Sequence, residues 1–161
     1  MAKPPRDLAS SSFNTYFITS GTRGGRFLLQ SDRMASLLVD TLLYYRRERK
    51  YLLHEYVVMP SHIHLLISPL PGVTIERAMQ LIKGGFSYRV GKELERKMDI
   101  WERGYIDHRV RDIRDYETHV RYIRENPVRG GLAETNEAFP YSSAGGGVEL
   151  DPCPQRLKPA A

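Results

Sequence analysis

The sequence predicts an α+β fold, a small antiparallel sheet of ferredoxin-like type with helices packed on one face. The first observation is the order of its elements: the hydrophobic pattern indicates strand, helix, two strands, helix, strand and helix. The second is a proline and serine turn between two neighbouring strand-length apolar runs. The third is size, because 161 residues with 41% hydrophobic side chains supply one core and leave little for a second domain.

The first strand and the first helix are predicted between residues 13 and 50. The run FNTYFITS is aromatic and β-branched, and a Gly/Arg turn and a short apolar stretch follow it. Ser31 or Asp32 is suited to cap a helix that runs to about Lys50. Its inner stripe consists of Met34, Leu37, Leu38 and Leu42.

Two strands and the second helix come next. The runs YLLHEYVV and HIHLLIS are joined through Met-Pro-Ser, and Pro60 marks a turn, because a proline inside a central strand forfeits a ladder hydrogen bond. Thr74 is suited to cap the following helix. Gly84 and Gly85 weaken that helix and indicate a bend or a close approach by another backbone.

The last strand and the third helix lie between residues 99 and 127. The stretch DIWERGYIDHRVRDI alternates apolar and charged side chains, which indicates a half-exposed strand. A helix is predicted from about Asp115 to Asn126, with Pro127 as its stop. We therefore expect residues 1–144 to form a single domain. The segment beyond Leu132 is rich in Gly and Pro, and we expect a loop there that packs at most through Phe139 and Tyr141, with a flexible tail over residues 145–161.

Charge and cysteine content restrict the class of protein. The formal net charge is +5, and arginine outnumbers lysine, which favours forked contacts to phosphate and so a nucleic-acid partner. A solvated basic face without a partner is the alternative. Cys153 is the single cysteine, which excludes an internal disulfide and a thiolate metal cluster. No apolar run is long enough to span a bilayer and the first residues carry no signal core, so we expect a cytoplasmic, nucleoid-associated protein with no membrane contact.

The stretch MPSHIHLLIS places two imidazoles at the head of a strand. Residues two apart face the same side of a strand, so His62 and His64 project together while Ile63, Leu65 and Ile67 pack on the other side. Two neutral imidazoles suit a divalent cation that also holds a substrate oxygen. Two rings that merely form hydrogen bonds at the sheet surface are the alternative.

The third helix carries a tyrosine outside its apolar stripe. Tyr116, Val120 and Ile123 form the stripe, whereas Tyr122 and Asn126 share another flank, one turn apart. A tyrosine and an amide at this spacing present a hydroxyl nucleophile and an oxygen ligand to one point. Tyr116 is the rival nucleophile. His119 lies on the flank of Tyr122 and is a candidate base, phosphate contact or bystander.

Four stretches in order resemble a known family: YVVMPSHIHLLIS, WERGYIDHRVRD, YIRENPVRGGL and YSSA. They are similar to the landmarks of single-tyrosine HUH transposases, and closest to those of the REP-associated tyrosine transposases. The resemblance implies a metal-dependent tyrosine nickase and strand transferase. It implies Tyr122 as nucleophile, His62, His64 and Asn126 as ligands of Mg²⁺ or Mn²⁺, and single-stranded DNA with hairpin structure as substrate.

Two further points stay open from the sequence. Arginines in loops or at strand edges are candidates for the DNA surface, namely Arg23, Arg26, Arg109, Arg111 and Arg129. Relatives act as monomers or as homodimers that exchange the tyrosine helix, so either state is compatible with the chain. A hairpin-binding module that does not cut DNA is one alternative function. A hydrolytic nuclease that uses Asp107 and Asp112 as metal ligands is another.

Overall fold

The computed structural model describes residues 14–157 and residue 159. Within them four strands form one sheet in the order β2-β3-β1-β4, with every neighbouring pair antiparallel. The strands are β1 (Tyr16–Gly21), β2 (Tyr51–Met59), β3 (His62–Pro69) and β4 (Ile106–Arg109). The helices are α1 (Asp32–Arg47), α2 (Ile75–Glu93) and α3 (Ile113–Arg129). The predicted α+β class and element order are confirmed.

Helices α1 and α2 cover one face of the sheet. Ile63, Leu65 and Ile67 of β3 point into this layer, as their spacing predicts. They join one continuous cluster with Leu38 and Leu42 of α1 and with α2 side chains. The α2 side chains in it are Ile75, Ala78, Met79, Ile82, Phe86 and Val90.

Helix α3 packs on the opposite face, which differs from the expectation that the helices share one face. Tyr116 and Ile123 of α3 join Val57 and Met59 of the edge strand β2 and Leu66 of β3 in a second apolar cluster. β3 is buried along nearly its whole length because its alternate side chains meet helices on either side. The sheet is thus a middle layer, and the histidines of β3 face α3.

The helix starts follow the predicted caps. Ser31 Oγ accepts the backbone N–H of Met34, and Thr74 Oγ1 accepts that of Arg77. Helix α2 runs unbroken through its two glycines, and Gly85 lies against the ring of Tyr45, a side chain rather than the expected backbone. None of the helices in the described part of the chain is both long and apolar enough to cross a membrane.

Helix α3 does not stop at Pro127. It extends to Arg129, because a proline in the last turn removes only one helical hydrogen bond. The helix ends where Gly131 adopts a φ of 72°, a conformation that favours glycine. The backbone N–H of Leu132 then donates to the carbonyl of Pro127 at 2.8 Å.

The C-terminal segment packs more closely than expected. Residues 146–157 form no helix or strand, but Val148 and Leu150 contact the main core. Asp151 accepts hydrogen bonds from Arg46 at 2.9 and 3.1 Å and from the backbone N–H of Leu53 at 2.8 Å. The expectation of contacts through Phe139 and Tyr141 alone is therefore wrong, because the half-buried carboxylate of Asp151 ties this segment to α1 and β2.

Candidate active site

The two histidines of β3 lie on the face that α3 covers. His62 pairs with Gly21 and His64 with Thr19 of β1, so both rings stand above the centre of the sheet. Their centroids are 4.8 Å apart. The prediction that they project to one side is confirmed.

His64 is buried and only partly satisfied. Its Nδ1 lies 3.0 Å from Thr19 Oγ1, and its ring stacks on Phe17 at 5.4 Å. Its Nε2 has no hydrogen-bond partner among the described residues. Burial and the neighbouring His62 lower the pKa of His64 to about 3, so the ring is neutral at physiological pH. A buried, neutral imidazole nitrogen without a partner is a ready ligand for a cation.

Asn126 meets His62 from α3. Burial lowers the pKa of His62, and a hydrogen bond with the Asn126 side chain acts in the opposite direction. Asn126 is itself buried, one turn before the end of α3. The amide and the two imidazoles therefore gather from two elements, as the sequence predicted for this helix flank.

Tyr122 lies beside these groups, and the rival tyrosine does not. The ring of Tyr122 meets the ring of His64 edge to face at 5.2 Å, and 39% of the residue is exposed. Tyr116 is 8% exposed and packs against His54 in the second apolar cluster. Of these two tyrosines, Tyr122 is thus the one that is open to solvent.

The donor set fits a divalent cation. His62 and His64 supply neutral nitrogens, the free Nε2 of His64 is buried at the site, and Asn126 supplies an amide oxygen. Imidazole nitrogens suit divalent transition-metal ions, whereas Mg²⁺ prefers oxygen ligands and keeps several waters. Asn126 adds the oxygen donor that both Mn²⁺ and Mg²⁺ accept.

An ion pair between a half-exposed arginine and a buried glutamate holds the helix of Tyr122 against the sheet. Glu55 of β2 is nearly inaccessible, and Arg124 donates to its Oε1 from Nε at 3.0 Å and from Nη2 at 2.7 Å. Ser143, in the YSSA stretch, donates to the other oxygen of Glu55 and accepts the backbone N–H of Tyr56. This pair could not be predicted from the sequence, because its members lie far apart along the chain and each looks like a surface charge.

The other acidic and imidazole candidates lie outside this group. Asp112 caps α3 by accepting the backbone N–H of Asp115, and Asp107 is exposed on β4. Neither carboxylate joins the histidines of β3, so the arrangement gives no support to a nuclease with these two ligands. His119 packs against Phe17 at 4.4 Å, and its Nδ1 is bonded to Asp115.

The candidate DNA-binding arginines fall in three places. Arg23 and Arg26 lie in the exposed loop after β1, where Arg23 pairs with Asp99. Arg129 pairs with Glu125 on α3. Arg109 and Arg111 line one cleft together with Asn14 and Arg156, two residues that the sequence pattern did not single out.

Comparison with known proteins agrees with this architecture. The family model described as "Transposase IS200 like" matches residues 18–126. A putative REP-associated tyrosine transposase of Haemophilus influenzae is 31% identical over 143 residues, covering 76% of this chain and 81% of that protein. A REP-associated tyrosine transposase of Escherichia coli is 27% identical over 130 residues, covering 80% of this chain and 75% of that protein.

A solved structure is similar over most of the chain. It is a REP-associated tyrosine transposase bound to a REP hairpin, with a TM-score of 0.71 and 26% identity, covering 89% of this chain and 82% of that one. The family match includes β1, the two histidines of β3 and α3 as far as Asn126. The resemblance found in the sequence is confirmed, and the chain belongs to the IS200-like transposase family.

Proposed function

We propose that this transposase nicks single-stranded, hairpin-containing DNA through Tyr122 and transfers the strand through a 5′-phosphotyrosine intermediate. The observation that carries the proposal is the meeting of a half-exposed tyrosine with a buried His64 whose Nε2 is free. A merely structural histidine in such a position would have a partner for that nitrogen. A nucleophile and a cation-binding group side by side are what phosphodiester transfer requires.

The residues divide the chemistry between them. Tyr122 Oη attacks the phosphorus, the bond from phosphorus to the 3′ oxygen breaks, and that oxygen leaves with a proton as a 3′-hydroxyl. One phosphodiester replaces another, so the 3′-hydroxyl of a second strand can reverse the step without ATP. His62, His64 and Asn126 would hold Mn²⁺ or Mg²⁺, which neutralises the charge of the phosphate and orients it for in-line attack.

The proposed substrate rests on the relative and on the charge of this chain. The REP-associated relative is bound to a REP hairpin. The net charge of +5 suits a nucleic-acid backbone. So do the exposed arginines, which are Arg26 in the loop after β1 and Arg109 and Arg111 in the cleft. We expect the protein to act on such hairpins at the nucleoid, in the cytoplasm.

The position of the nucleophile supports action by a monomer. Tyr122 lies against His64 of the same chain. A monomer can therefore assemble its nucleophile with its own metal ligands, and we propose action within one chain. In a homodimer that exchanges α3, the Arg124–Glu55 pair within each chain would be replaced by the same pair between subunits.

A cleavage assay tests the proposal. Wild-type protein is incubated with Mn²⁺ or Mg²⁺ and hairpin oligonucleotides labelled at either end, and the products are separated under denaturing conditions. The label 3′ to the cut should migrate with the protein and the label 5′ to it should be released with a free 3′-hydroxyl. Tyr122→Phe should abolish cleavage and Tyr116→Phe should retain it. Binding without cleavage with either metal would favour the hairpin-binding module.

A further inference from the structure

Two histidines and an aspartate meet between β4 and the first turns of α3, outside the group formed by His62, His64 and Asn126. Oδ2 of Asp115 lies 2.8 Å from Nε2 of His108, and Oδ1 lies 3.1 Å from Nδ1 of His119. The backbone N–H of Arg111 donates to Oδ2 at 3.1 Å. The proposed cleavage uses none of these groups.

We propose that His108, Asp115 and His119 form a second divalent-cation site, which takes a borderline transition-metal ion such as Zn²⁺. Two imidazoles and one carboxylate are a donor set that such ions prefer. One ligand atom from each residue lies within 4.8 Å of the other two. Donors that share an ion at about 2.0–2.2 Å lie about 3.0–3.5 Å apart, so coordination needs only a small contraction of the cluster.

The fold prepares the ligands for this role. Asp115 and His119 are four residues apart on α3 and so share one face of the helix, while pairing of β4 with β1 brings His108 beside them. The Arg111 N–H orients the carboxylate, as outer hydrogen bonds do at metal sites. All three residues are half-buried, so an ion can enter and water can complete its coordination.

Binding of a cation at these atoms leaves the number of protons on the two imidazoles unchanged. His108 Nε2 and His119 Nδ1 each exchange an N–H for a bond to the ion, and each neutral imidazole carries its proton on the other ring nitrogen instead. Asp115 stays a carboxylate: partial burial acts to raise its pKa, but hydrogen bonds from His108 and the Arg111 N–H lower it. His119 also gives up a 2.8 Å bond to the Asp115 carbonyl, which as a helix carbonyl keeps a backbone partner.

The site is separate from the histidines of β3. The ring of Phe17 lies between His119, at 4.4 Å, and His64, at 5.4 Å. Two ions on either side of a phenyl ring share no bridging ligand, unlike the closely spaced ions of two-metal enzymes. The second ion would instead join β4 to the start of the helix that carries Tyr122, and would stabilise the folded chain by an amount that rises with the logarithm of its free concentration.

Metal stoichiometry without DNA tests the inference independently of cleavage. Bound metal is removed from the full chain with a chelator, and the protein is then dialysed against Zn²⁺. The Zn²⁺ content per chain is measured by inductively coupled plasma emission spectroscopy. The variant His62→Ala/His64→Ala should keep about one Zn²⁺ per chain. Introducing His108→Gln and His119→Gln into this variant should remove the bound Zn²⁺. Introducing His54→Gln instead, at a buried histidine elsewhere in the fold, should not. Failure of the His62→Ala/His64→Ala variant to bind Zn²⁺ would overturn the proposal, as would binding that survives His108→Gln and His119→Gln.

A measurement on the wild type guards against loss of folding in the variants. Crystals soaked in Zn²⁺ should give an anomalous scattering peak between the side chains of His108, Asp115 and His119. A peak at His62 and His64 alone would overturn the second site and leave the proposed function intact. Absence of nicking, with both peaks present, would contradict the proposed function and leave the second site intact.

Discussion

Tyr122 and Tyr116 belong to one helix, and burial separates their roles. Tyr116 fills the second apolar cluster, where burial raises the pKa of its hydroxyl. Tyr122 stands outside that stripe and meets His64. Helical periodicity predicted this difference, because it depends only on angles within one element. It could not predict Thr19 or Phe17, which flank His64 only through pairing of β1 with β3.

Thr19 should tune the cation affinity of the β3 histidines. When its hydroxyl oxygen accepts the Nδ1–H of His64, the ring nitrogen Nε2 carries no proton and is available to a cation. We expect Thr19→Val to weaken Mn²⁺ binding about 10-fold or more, as loss of an outer hydrogen bond does at other sites. Calorimetric titration measures this, and Ser20→Ala, on the adjacent residue whose hydroxyl has no partner among the described residues, is the control. Equal weakening by both substitutions would contradict the role of Thr19.

At the scale of elements, α3 is held by contacts that are distant in sequence. Arg124 donates hydrogen bonds to one carboxylate oxygen of Glu55 on β2, and Ser143 donates to the other. The local sequence pattern predicted that α3 exists, which residues share its flanks and about where it starts. It did not predict which face of the sheet α3 covers. Local pattern also placed the end of α3 too early, because it weighted Pro127 above the glycine conformation at Gly131 that terminates the helix.

Removal of the arginine should destabilise the fold. Arg124→Ala leaves the carboxylate of Glu55 buried, with Ser143 as its one side-chain donor among the described residues. Because the guanidinium itself is half-exposed, we expect a loss of about 2–3 kcal/mol in the free energy of unfolding. Urea denaturation measures it, with Arg121→Ala on the exposed side of the same helix as the control. A change of similar size in the two variants would argue against the buried pair as the cause.

At the scale of the whole molecule, the sheet is covered on both faces, and the C-terminal segment forms hydrogen bonds with its outer strand β2. The backbone N–H of Val58 donates to the carbonyl of Tyr141 at 2.8 Å. The carboxylate of Asp151 accepts from Arg46 and from the backbone N–H of Leu53, and its backbone carbonyl is hydrogen-bonded to the ring of His54. The strands, the caps and the two-histidine face could be predicted from the sequence. The docking of residues 146–157 could not, because a single carboxylate in a Pro-rich segment carries no periodic signal.

Stability should fall in mild acid. Burial lowers the pKa of His54, His62 and His64 below the ordinary value of 6.5. The unfolded chain therefore binds more protons near that pH, so the stabilisation is full above about pH 6.5 and is lost as the pH falls below it. We expect the free energy of unfolding to decline between pH 7 and 5, by up to about 1.4 kcal/mol per pH unit for each histidine. Denaturation at several pH values measures this slope, and His54→Gln should reduce it. A flat profile over that range would contradict it.

The measurement that tests the central claim most directly is mass analysis of the protein after reaction with hairpin DNA and Mn²⁺. Digestion with nuclease and a glutamate-specific protease separates the two tyrosines, because cleavage after Glu117 and Glu125 places Tyr122 on the fragment 118–125 without Tyr116. We predict a nucleotide phosphate on that fragment, at Tyr122, which is lost in His64→Ala. An adduct at Tyr116, or cut DNA with no adduct on any tyrosine, would contradict the account.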